Sequence, residues 1–149
     1  MSHHLLHYLH LVAASLWFGG TLVLALTVVP TLWRPNGPST LPAIVLAIDR
    51  VNLAALGALL ATGYLLAWHW LPDAASWFQS DLRQADLIQL KWLLLIAAAA
   101  LAGWARIYLL PTWTPSRRLA LTVYVVGNVA IGLAMAWLGT RFRYDGLPD

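Results

Sequence analysis

Residues 5–32 read LLHYLHLVAASLWFGGTLVLALTVVPTL and hold no Asp, Glu, Lys or Arg. A helix needs about 20 mostly apolar residues to cross the hydrocarbon core of a bilayer, so this run is long enough to span. It stops at Trp33-Arg34-Pro35-Asn36-Gly37-Pro38, where proline and glycine break the helix. Three more apolar runs follow, at about 51–71, 87–110 and 119–140, divided by the places where charge and proline collect. The second helix can begin earlier, with Ser39-Thr40 capping Leu41-Pro42, which puts Asp49 and Arg50 near the surface. The first span has neither a basic leader nor a small-residue cleavage site, so it reads as retained. The expected fold is an all-α membrane protein: a single four-helix membrane domain, residues 1–149, built as an antiparallel four-transmembrane-helix bundle.

The composition agrees. The 149 residues are 60% hydrophobic and 10% charged, with nine Trp and no Cys, whereas an average soluble domain is about 25% charged. This excludes an ordinary soluble enzyme, a disulfide-stapled domain, a thiolate metal site and a cysteine nucleophile. The chain has no phosphate-binding glycine loop, no nucleophile elbow, no carboxylate pair and no glutamate, so a hydrolase or kinase has no residues to stand on. The net charge of +3 comes from basic residues at helix ends. They orient the protein in a lipid bilayer and do not point to nucleic acid.

Four spans place both termini on one side. Arg34, Arg50, Arg106, Arg117 and Arg118 collect on the opposite side. Arg83, Arg141 and Arg143 lie beside the termini, together with Asp73, Asp81, Asp86, Asp145 and Asp149. The positive-inside rule therefore sets both termini outside the cytoplasm. Trp17, Trp68, Trp70, Trp77, Trp92 and Trp137 then fall nearer the outer face, and Trp33, Trp104 and Trp113 nearer the inner one, most of them as interfacial belts.

Ionisable residues inside lipid are functional candidates by default. Three qualify: His10 in span one, His69 near the end of span two and Lys91 just inside span three. Counted from the nearest surface residue at 1.5 Å per residue, they fall at comparable depth near the outer face. Two histidines at one depth on neighbouring helices are what a b-type haem in a four-helix bundle needs as axial ligands. Lys91 would neutralise a propionate or serve as an alternative ligand, and Trp17, a turn or two deeper than His10, would pack against the bound ring. The competing reading is that His and Lys near a surface only snorkel to the headgroups. His3, His7 and His10 share a helical face at i, i+4 and i+7, and His4 follows His3 near the amino terminus. These four form a candidate transition-metal group, copper foremost, or else a polar, frayed helix end. Asn128, mid-span, is expected to hydrogen-bond between helices, and Gly19-Gly20, Gly57 and Gly132 supply small residues for close helix approach.

His10-Leu-Val-Ala-Ala-Ser-Leu-Trp17-Phe-Gly19-Gly20 resembles the opening helix of the copper-resistance D membrane family, with its pattern of His, six residues, Trp, one residue, Gly-Gly. Thr62-Gly63, Leu90-Lys91 and Arg106-Ile-Tyr-Leu-Leu-Pro111 are similar to the same family, so that the resemblance covers nearly the whole chain. The HemJ-type protoporphyrinogen oxidases are similar too, sharing a first-helix histidine before a Trp-Gly element and a third-helix lysine. That resemblance implies haem b, oxidation of protoporphyrinogen IX, and roles for His10 and Lys91. The continuation Thr-Leu-Val-Leu-Ala-Leu after Gly20, and Asn128 in span four, favour the copper-resistance D side.

The family resemblance implies a bacterial inner-membrane protein in copper homeostasis or membrane redox chemistry. A Cu(I) path through the membrane wants soft ligands, and only Met1 and Met135 offer sulfur, so haem b is better supplied with ligands than copper conduction is. Three functions are therefore carried forward: a haem b protein of the copper-resistance D type, with a redox partner; a HemJ-like oxidase, as a haem-dependent oxidoreductase; and an accessory subunit of a larger membrane complex. A homo-oligomer is compatible with each.

Overall fold

The computed structural model describes residues 3–34, 41–71, 73–78 and 83–144. The expected Ser39-Thr40 cap and Asp81, Asp145 and Asp149 lie outside those residues, as do the side chains of His3, Trp70 and Arg143. Four long helices make up the molecule: α1 (His3–Leu32), α2 (Leu41–Trp70), α3 (Arg83–Trp104) and α4 (Arg118–Tyr144). A 3₁₀ turn, Ala74–Phe78, lies between α2 and α3. A π-helical turn, Ala105–Leu109, prolongs α3, and a second 3₁₀ turn, Pro115–Arg117, leads into α4. There is no strand among the described residues, and all four helices are long and apolar enough to cross a membrane.

In hydrocarbon every backbone polar group must be satisfied within the segment, which makes the helix the only choice for such runs. The threonines follow the same logic. Thr21, Thr27, Thr31, Thr62 and Thr122 each donate their hydroxyl to the carbonyl four residues earlier, so none of these protons is left bare in lipid.

Two contacts fix the register of α1 against α2. His10 meets Thr62, and, ten residues further along each helix, Gly20 meets Asn52. The helices are thus antiparallel, and α1–α2 is the most extensive interface in the bundle, whereas α2 and α3 meet sparsely. At Gly20 the approach is so close that a Cβ would stand 2.1 Å from Asn52 Oδ1. The core has two parts. One, at the Pro111 end, is built from Leu24, Val28, Val45, Leu109, Leu121 and Val125. The other, nearer the termini, gathers Trp17 with Ala13, Ala55, Leu56, Leu59 and Ala98.

One expectation is met and one changes here. α2 begins at Leu41, the earlier of the two expected starts, and Asp49 is only 3% exposed while Arg50 beside it is exposed. Trp77 is not a lipid-facing belt residue. It is buried, its indole N–H donates to Leu71 O at 2.8 Å, and its ring packs edge-on to Tyr64 and Trp68. Gln89 Nε2 then donates to Trp77 O, tying this turn down to α3.

Candidate functional site

The half-buried imidazole of His10 lies across the α1–α2 interface. Its Nδ1 is 2.8 Å from Thr62 Oγ1. Thr62 has one hydroxyl proton, and that proton goes to Ala58 O at 2.6 Å. The threonine oxygen is therefore the acceptor and His10 Nδ1–H the donor, which in the neutral ring leaves the lone pair on Nε2. This is how a second group selects the tautomer of a metal-ligating histidine. Gly63 makes the position tenable: a Cβ there would stand 3.3 Å from His10 Cε1, so the ring rests against bare α2 backbone.

Lys91, half-buried on α3, lies within electrostatic reach of His10, as does His7 one turn away. Of the expected residues on other helices, Lys91 is thus the one within electrostatic reach of His10. His69 is placed differently. It is exposed and stands seven residues beyond Thr62 on α2, about 10 Å further along the axis at 1.5 Å per residue. The equal depth expected of His10 and His69 is therefore not met, because the register pairs His69 with the very start of α1. Trp17 is 5% exposed and sits among aliphatic side chains, two turns below His10 on the same helix. Among the described residues no three His, Asp or Glu side chains gather where they could hold a metal ion; this covers His4, His7 and His10, the side chain of His3 lying outside the description.

A second polar group, not anticipated as a unit, occupies the other half of the bundle. Tyr124 Oη donates to Asp49 Oδ1 at 2.8 Å, and Arg106 Nη1 stands 3.6 Å from Asp49 Oδ2. Three helices contribute: α2 the carboxylate, α4 the phenol, and the π turn after α3 the guanidinium. That turn is marked by Leu110 N–H donating to Ala105 O, five residues back, at 2.8 Å, and such turns recur at functional sites. One helical turn deeper, Asn52 is 7% exposed and its Oδ1 has no hydrogen-bond partner. Asn128, also buried, donates through Nδ2 to Tyr124 O on its own helix, so the bond observed runs along α4 and not between helices. The signal in the sequence was Arg106, a base inside the third apolar run, with Asp49 just before the second.

Compared with protein-family models, curated proteins and solved structures, the chain matches none.

Proposed function

We propose that this protein is a small membrane haem b protein, with His10 as axial ligand through Nε2. The observation that carries the reading is the committed tautomer: Thr62 takes the Nδ1 proton and leaves the other nitrogen as the donor. An imidazole so oriented suits haem iron, whereas copper conduction would want more sulfur ligands than Met1 and Met135 supply. Bound haem would supply one-electron transfer. The residues' own tasks are to orient the ligand (Thr62), to let its ring lie against the backbone (Gly63) and to provide a cation beside it (Lys91), as a propionate partner or second ligand. His69 fits that second position less well, because it stands two turns away along α2.

Absorption spectra of the detergent-purified protein, air-oxidised and then reduced, test the proposal. A Soret band with a sharp reduced α-band is expected. The resemblances to the copper-resistance D family and to the HemJ-type oxidases are consistent with this site, and complementation of a strain lacking protoporphyrinogen oxidase separates the oxidase from a non-catalytic electron carrier. A second reading, a subunit of a larger membrane complex, draws on α3. Only 11% of its most apolar stretch is buried, against 28% to 33% in the other three helices. Fixed partners co-purifying in mild detergent would favour it.

A further inference from the structure

We infer that Asp49, Tyr124, Arg106 and Asn52 form a proton-exchange site, separate from the His10 region and open toward the Pro111 end of the bundle. The inference does not rest on haem binding.

The two carboxylate oxygens of Asp49 have different partners. Oδ1 takes the Tyr124 hydroxyl proton at a normal hydrogen-bond length, 2.8 Å. Oδ2 faces Arg106 at 3.6 Å, too far for a hydrogen bond. The pair is thus an ion pair with a gap, and Oδ2 keeps lone pairs free to accept a proton. The groups facing Asp49 are few. The π turn contributes Arg106 and α4 contributes Tyr124, while the buried α1 residues Thr21, Leu24 and Val28 are not titratable. On α2 itself, Arg50 is exposed.

Access is visible at the Pro111 end. A groove of about 210 Å³, lined by Ala43, Leu46, Arg106, Leu110 and Pro111, opens beside the guanidinium at the helix ends. It has room for several waters. Toward the other end lie Trp17 and the buried aliphatic cluster around it. Asn52 Oδ1 supplies an independent sign that something polar belongs here. A buried carboxamide oxygen without a donor is costly, and a water one turn deeper than Asp49 would satisfy it.

The exchange is a proton transfer and nothing more. A proton arriving through the groove adds to Oδ2, giving a neutral acid that keeps the Tyr124 hydrogen bond. Arg106 stays charged and, being one-third exposed, can turn its charge toward the groove. The site goes from net neutral to a single positive charge, and loss of the proton to the same groove restores the ion pair.

The test uses the full chain in liposomes. Infrared difference spectra between alkaline and acidic buffer should contain the carbonyl stretch of one buried carboxylic acid. That band should vanish in Asp49→Asn and shift in Tyr124→Phe, which keeps the carboxyl and deletes its hydrogen bond. Dicyclohexylcarbodiimide, which modifies protonated carboxyls in apolar surroundings, should label Asp49 increasingly as the pH falls, and severalfold more in Arg106→Gln. Asn52→Leu should slow deuterium exchange of the acid. The Tyr124, Arg106 and Asn52 variants keep the test independent of whether Asp49→Asn folds. No such band, with Asp49 unlabelled at every pH where the helices persist, would overturn the inference and leave a static ion pair.

Discussion

Thr62 accepts a hydrogen bond from His10 Nδ1 at 2.8 Å while giving its own proton to Ala58 O, four residues back on α2. One threonine thereby ties α1 to α2 and fixes which imidazole nitrogen is left to bind a metal. Thr62→Val keeps the shape and removes the acceptor. Because second groups of this kind are worth about 10–100-fold in metal affinity, Thr62→Val should weaken haem binding by that order in an optical titration, with helix content unchanged. His10→Ala should abolish binding altogether.

Gly20 and Asn52 make a second pair across the same interface. A methyl group at residue 20 would stand 2.1 Å from Asn52 Oδ1, a backbone-to-side-chain clash that can be relieved only by moving Asn52 or parting the helices. Gly20→Ala should cost about 1–3 kcal/mol of stability, the usual range for overpacking, read as a lower thermal midpoint in detergent. Asn52→Ala removes the clashing atom, so the double variant should recover most of the loss.

The Asp49–Arg106 pair is asymmetric, the acid side chain being 5% exposed and the base 34%. Arg106→Gln leaves a buried carboxylate facing a neutral amide. Asp49→Asn leaves a cation that can reach the surface by snorkelling. The arginine variant should therefore be the less stable of the two, by about 1–3 kcal/mol. The double variant should lose less than the two single losses added together, because neither charge is then stranded. Thermal unfolding of the three variants checks the order.

Much of this was legible in the sequence, and the failures are physical. Four spans could be read because each is a long apolar run with little charge, and the helix bounds follow the prolines. The burial of Asp49 could not be read from α2 alone, because the groups that face it, Tyr124 and Arg106, come from other parts of the chain. The depth of His69 was misjudged because it was counted from the nearest loop. Interhelical register, which is set by packing such as Gly20 against Asn52, does not appear in any single helix. His10 and Lys91 could be singled out because a base inside an apolar run stands out on its own.

Trp77 holds the Ala74–Phe78 turn through its bond to Leu71 O and its packing on Tyr64 and Trp68. Trp77→Ala should cost about 3–5 kcal/mol if the site collapses as little as most large-to-small sites do. Hydrogen exchange should rise first in residues 71–78, and slower exchange there than in the intact protein would contradict the role.

The account stands or falls on His10. Oxidised and dithionite-reduced absorption spectra should be recorded for the haem-supplied wild-type protein, His10→Ala and His69→Ala, each shown to be folded. The expected result is a Soret band and a sharp reduced α-band in the wild type and in His69→Ala, both absent from His10→Ala. A folded wild-type protein with no Soret band, or a His10→Ala spectrum identical to the wild type, would contradict it.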